Sequence, residues 1–198
     1  MNKIFRVVLL LPWAYWIYAM VTNQVGADPA KVLNHKMGQV AFYYIILNLL
    51  IGWLITISTK LKFKIPYQLR FLLTSRRYLG VVSFLYLIFH VLLYLTLEGF
   101  EQKAFTQMFT KTYLIFAIIA FFIMLALAVT SNDFAIKKLG FKKWKNVHRL
   151  IYIAMIAISF HVLLIEKADL VQFGSVLTIY WLMQCARYFY WKKFKTDS

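Results

Sequence analysis

Six apolar runs dominate the chain, near residues 5–22, 39–57, 78–97, 112–130, 148–165 and 172–191, and no other feature narrows its fold so far. A bilayer's hydrocarbon core, about 30 Å thick, takes roughly 20 apolar residues per helix, and each run meets or approaches that length. Only three prolines and seven glycines interrupt 198 residues, 62% of them hydrophobic. The expected fold is an all-α integral membrane protein, a six-helix transmembrane bundle forming one domain over residues 1–198. The first run follows Lys3 and Arg6, as a signal peptide would. Its apolar stretch is too long for one, it carries Trp13, Tyr15, Trp16 and Tyr18, and no small-residue cleavage site follows. It is kept as the first crossing.

Charge sets the orientation. Of 23 Lys and Arg residues, eighteen lie at the N-terminus, in residues 58–77, in residues 131–149 and from Arg187 onward; the loops between hold only Lys31, Lys36, Lys103, Lys111 and Lys167. This alternation fits six crossings and predicts both termini in the cytoplasm. A net charge of +16 would suit a nucleic acid, but clusters such as KLKFK (60–64) and KKLGFKKWK (137–145) sit where anionic lipid head groups lie. Lipid is the expected partner of this charge, and no nucleic acid is expected. Trp53, Trp144 and Trp191, near run ends, fit an interfacial belt. Cys185 is the single cysteine, so no internal disulfide forms. No glycine-rich phosphate loop is present, so the chain is not expected to carry its own nicotinamide-binding domain.

Ionisable groups inside membrane helices are costly and usually mark function. His90 precedes the flank at Glu98 by 8 residues and His161 precedes Glu166 by 5, which puts the two imidazoles about 12 and 8 Å from the same face. Two histidines at matched depth on neighbouring helices can supply both axial nitrogens of one iron. A tetrahedral metal would need two further ligands, and none is available at that depth. A b-type heme needs only the axial pair. Ser83, Tyr86, Tyr94 and Leu97 share a helix face with His90, which makes Tyr94 a candidate heme-pocket residue. Ala154 and Ala157, beside His161, either leave room for a macrocycle or let helices approach closely.

His148 lies 13 residues before His161, about 20 Å along the axis and roughly 140° around an ideal helix. It is a candidate ligand for a second, inner heme, or else a capping group beside Arg149. The positions that would partner it on the third helix are Arg76 and Arg77, which stay protonated and do not coordinate iron. Arg76, Arg77 and Arg149 are candidates for contacts to propionate or quinone, against the plainer reading as positive-inside anchors. In the loop GADPAKVLNH (26–35), Asp28 and Pro29 have the chemistry of a helix N-cap and first helical residue. That loop reads as a short surface helix or, through Asp28 and His35, as a partner- or quinol-facing loop.

Taken in order, GADP (26–29), His35 and Gly38, RRYLG (76–80), His90 and Tyr94, Thr130-Ser131, WKNVHRLIY (144–152) and His161 resemble the heme-binding membrane subunit of the bacterial periplasmic methionine sulfoxide reductase, the MsrQ or YedZ family. That family lies within the wider ferric reductase-like transmembrane group. The resemblance implies a six-helix inner-membrane cytochrome b. Such a protein takes electrons from quinol or a cytoplasmic flavin reductase and delivers them to a periplasmic molybdopterin enzyme that reduces methionine sulfoxide. It puts His90, His148 and His161 on heme-linked positions and adds FMN as a candidate cofactor, although no flavin motif is readable. Relative to two-heme members of the wider group, Arg76 or Arg77 stands where a histidine would, which leaves heme number open. The expected role is an electron-transfer subunit rather than the catalytic one. The rivals are a stand-alone ferric or quinone reductase and a non-redox transporter or scaffold.

Overall fold

The computed structural model describes residues 3–64, 66, 70–165 and 169–196, without the side chains of Lys3, Lys60 and residues 190–196. Glu166 and Lys167, used above as loop landmarks, lie outside the described residues, as does the side chain of Trp191. Every regular element among the described residues is a helix: α1 Lys3–Val8, α2 Leu11–Val21, α3 Pro29–Lys60, α4 Arg70–Leu97, α5 Gln102–Thr110, α6 Thr112–Val129, α7 Asp133–Leu139, α8 Phe141–His148, α9 Ile151–Leu163 and α10 Leu170–Thr196. Five described stretches are long and apolar enough to cross a membrane: Ile4–Val21, Pro29–Thr59, Arg70–Leu97, Thr112–Val129 and Phe141–Leu163. The chain is a multi-pass membrane protein. α10 is long enough at 27 residues, but Gln172, Gln184 and Arg187 dilute its apolar character.

Three boundaries depart from the sequence reading, each for a local reason. The second crossing begins at Pro29 rather than near residue 39, because the Asp28 carboxylate caps α3 by accepting from the Lys31 amide at 3.1 Å. No breaker follows until Lys60, so the separate surface helix does not exist and His35 lies inside α3. The fifth crossing is not one straight helix from His148. At Arg149 and Leu150 the chain tightens through three-residue hydrogen bonds, Arg149 N–H to Asn146 O at 3.1 Å and Leu150 N–H to Val147 O at 2.9 Å, so the ideal-helix angle between His148 and His161 does not apply.

The third departure is at Pro12, which breaks the first crossing between α1 and α2. Near the break, the Leu9 carbonyl and the Trp13 amide would be partners in an unbroken helix. The Tyr86 hydroxyl stands between them, donating to Leu9 O at 3.0 Å and accepting from Trp13 N–H at 3.1 Å, while Tyr44 donates to the same carbonyl at 3.0 Å. The Trp13 amide also reaches Leu10 O at 3.1 Å; the Leu9 carbonyl draws both tyrosines, because a membrane offers no water for it. Tyr86 therefore faces α1 and α2, and the expected convergence of polar groups beside His90 fails for this residue.

Helix α3 packs chiefly on α4, and α6 chiefly on α9. Phe42, Ile45 and Leu49 of α3, Phe84 of α4, Met124 and Leu127 of α6, Ala154 and Met155 of α9, and Phe173 and Leu177 of α10 join the two pairs in one buried cluster. Ala154 and Ala157 are buried, and Ala154 sits in that cluster, which favours the close-approach reading of these alanines. Outward residues such as Phe122, Ile153 and Phe160 are exposed and apolar, as a lipid-facing surface requires.

Candidate functional site

Each helix pair contributes one imidazole to a common gap: His90 from α4 and His161 from α9, with ring centres 6.4 Å apart and ring planes at 73°. Each ring is tethered within its own pair. His90 Nδ1 donates to the Asn34 carbonyl of α3 at 2.8 Å, and His161 Nδ1 donates to the Tyr113 carbonyl of α6 at 2.9 Å. A carbonyl can only accept, so both Nδ1 atoms carry the proton, and in the neutral rings both Nε2 atoms keep their lone pairs. Metal-ligating histidines are commonly fixed in this way, by a carbonyl on the nitrogen away from the metal.

The donor set fits a bis-imidazole iron. Two metal–nitrogen bonds of about 2.0–2.1 Å, with roughly 1.1 Å more from each nitrogen to its ring centre, give a centre-to-centre distance of about 6.3 Å. Among the described residues no group of three or more His, Cys, Asp or Glu could hold a metal ion by itself, whereas a porphyrin leaves only two positions for protein. One turn beyond His90, the Tyr94 hydroxyl is buried and has no partner among the described residues.

Two α3 residues shape the seat of His90. Asn34 grips it twice, because its side-chain amide also donates to the His90 carbonyl at 2.8 Å. One turn along, Gly38 presents bare backbone to the ring: a Cβ there would lie 3.0 Å from His90 Nδ1 and 3.1 Å from Cε1. Main-chain carbonyls such as those of Asn34 and Tyr113 carry no residue-type signal, so the sequence could not reveal them.

At the basic end of the bundle a cavity of about 930 Å³ opens between α3, α4, α6 and the α8–α9 turn, lined by Arg76, Arg77, Tyr152, Ser131, Arg149 and His148 among others. The ring of His148 packs on Trp144, 4.0 Å between centres; its Nδ1 donates to the Trp144 carbonyl at 3.1 Å, and Nε2 stands 3.3 Å from the Ser131 hydroxyl. No second histidine lines this cavity. Arg77 pairs with Asp133 at 2.5 Å, Arg149 is exposed and reaches Asn146 Oδ1 at 3.4 Å, and Arg76 points its Nε at Asn48 Oδ1, 3.1 Å away. The sequence reading missed Asn48, although one amide inside the apolar run FYYIILNLLIGW (42–53) is itself a signal.

At the opposite end, Asp28 serves as the α3 cap. His35 is exposed, bonds Gln39 at 3.0 Å and meets the edge of Phe173 at 6.2 Å. Neither joins the His90–His161 gap directly.

Residues 13–159 match the model of the ferric reductase like transmembrane component family. The chain is 30% identical over 184 residues to the protein-methionine-sulfoxide reductase heme-binding subunit MsrQ of Brucella ovis, with 89% of this chain and 78% of the relative covered. The MsrQ proteins of Brucella canis and Brucella melitensis biotype 2 match with the same identity and coverage.

Proposed function

Since the chain belongs to the ferric reductase-like transmembrane family and, within it, to the MsrQ heme-binding subunits, we propose that it is a b-type heme electron carrier of a methionine sulfoxide reductase system. It accepts electrons from quinol or a cytoplasmic flavin reductase and passes them to a periplasmic molybdopterin reductase. The bundle crosses the bacterial inner membrane six times, α10 included, with both termini and the basic end in the cytoplasm. That orientation is supported by the charge alternation along the chain.

One observation carries the reading: two imidazoles from separate helix pairs, 6.4 Å apart, both with Nδ1 engaged by carbonyls. His90 and His161 would hold the outer heme through their Nε2 atoms, and Tyr94 would offer its unpartnered hydroxyl to the same pocket. When bound, heme supplies one-electron chemistry at its iron. The chain's own work is to fix both rings in one tautomer, exclude water with apolar helices and hold the ligands at the required spacing. His148, a cavity-lining residue whose Nε2 stands 3.3 Å from the Ser131 hydroxyl, is the residue that would hold a second heme. Arg76, Arg77 and Arg149 supply positive charge for propionates or for a quinone or FMN at that end, and Asp28 and His35 face the quinol or the periplasmic partner.

The test is a heme-to-protein ratio and a reduced-minus-oxidised spectrum for the wild type, His90→Ala, His161→Ala and His148→Ala. Either of the first two changes removes the outer heme, and His148→Ala leaves it. Full heme content in both His90→Ala and His161→Ala would refute the assignment, and a colourless, folded wild type grown with ample heme would favour a scaffold. Offering the reduced protein a ferric chelate or the periplasmic reductase then separates a ferric reductase from the proposed carrier.

A further inference from the structure

The cavity at the basic end has cations in its lining, Arg6, Arg76, Arg77, Lys145 and Arg149, and no carboxylate among the described residues. The carboxylate of Asp133 is taken by Arg77. Arg76 is a different kind of group. It is partly buried within a membrane helix, and arginine cannot shed its proton to lower the cost. Its Nε donates to Asn48 Oδ1 at 3.1 Å, and Asn48 Nδ2 returns a bond to the Arg76 carbonyl at 3.1 Å. This reciprocal pair consumes Nε and leaves Nη1 and Nη2 without a described partner. Gly52 makes the room, since a Cβ there would stand 2.6 Å from Nη2.

A second guanidinium comes to the same place from α10. Arg187 donates to the hydroxyl of Tyr152, a cavity-lining residue, at 2.8 Å. Two cations at the wall of one cavity, with no described acid to balance them, are a costly arrangement for a protein alone and a favourable one around an anion.

We infer that Arg76 and Arg187 form an oxyanion site at the wall of this cavity, with Arg76 aimed by Asn48 as a positioning residue. The ligand is a carboxylate or phosphate carried by a propionate of an inner heme or by a phospholipid head group. This extends the role proposed for Arg76. It does not depend on heme at His90 and His161, so the two assignments fail separately.

The full chain in phosphatidylcholine nanodiscs, carrying His90→Ala in the hemin arm so that the outer site stays empty, is unfolded thermally in three arms: added inorganic phosphate, partial replacement by phosphatidylglycerol, and loading with hemin. The wild-type midpoint rises in at least one arm, and the responding arm identifies the source of the oxyanion. Arg187→Gln and Asn48→Ala need roughly tenfold more of that ligand for the same rise. Lys142→Gln, which removes an exposed charge near the same end, responds as the wild type does. Should Arg187→Gln not fold, Gly52→Ala displaces the Arg76 guanidinium without changing charge and weakens the response equally. A wild type insensitive in all three arms, or folded variants that match it, would overturn the site.

Discussion

Gly38→Ala isolates the seat of His90 from the stability of the fold. The new Cβ would meet His90 Nδ1 at 3.0 Å, Cε1 at 3.1 Å and Cγ at 3.5 Å, so the ring must retreat by a few tenths of an ångström. The retreating atom is the one bonded to Asn34 O at 2.8 Å, and that bond stretches as the ring moves. Weakening it and straining the packing together cost about 2 kcal/mol, or roughly 30-fold in heme affinity. That figure lies within the range of about 10–100-fold expected when a ligand's supporting bond is lost. Without heme the ring is free to relax away from the new Cβ, and exchanging glycine for alanine in a helix stabilises the helix by up to about 1 kcal/mol. The two effects largely offset each other in the heme-free protein, and the main loss appears when heme fixes the ring. Gly174→Ala, with nothing within 4 Å of its Cβ, provides the same helix gain and no heme defect. Heme transfer to apomyoglobin measures the affinity, and the unfolding midpoint of heme-free protein measures the fold. A Gly38→Ala variant with wild-type affinity and an unchanged heme spectrum would refute the reasoning.

Other expectations follow from single contacts. Tyr86→Phe removes the hydroxyl that bridges Leu9 O and Trp13 N–H; it should cost about 1–2 kcal/mol and speed hydrogen exchange at the Trp13 amide, and unchanged exchange would count against the bridge. Asp133→Asn breaks the ion pair with Arg77, but the two side chains are 81% and 41% exposed, so chemical denaturation should register less than about 1 kcal/mol. A reporter fused after Ser198 should be active only in the cytoplasm and one inserted at Phe100 only outside, and the reverse pattern would invert the proposed topology.

Much of the bundle was legible because hydropathy and helical rise are properties of single segments. The matched depth of His90 and His161 follows from counting residues, and their rings do share one gap. Rotation about the helix axis was less legible. Tyr86 lies one turn before His90 yet turns to the Pro12 break, because the Leu9 carbonyl of another helix draws it there. The tethers at Asn34 and Tyr113 are main-chain atoms, and their role depends on which helices pack together. Helix α3 starts ten residues before its apolar run because its first turns are too polar for a hydropathy window, although the Asp28–Pro29 start signal is readable. The gathering of Arg76, Asn48 and Arg187 needs three helices to meet, which no local pattern encodes.

Both imidazoles are held by carbonyl oxygens, groups with no acid–base life of their own in water's pH range. A carboxylate in either place would titrate, and with it the electron affinity of whatever the rings hold. By anchoring to the main chain, the site separates electron movement from proton movement: its midpoint should stay level as acidity changes, and protons given up by a donor such as quinol must leave by another route.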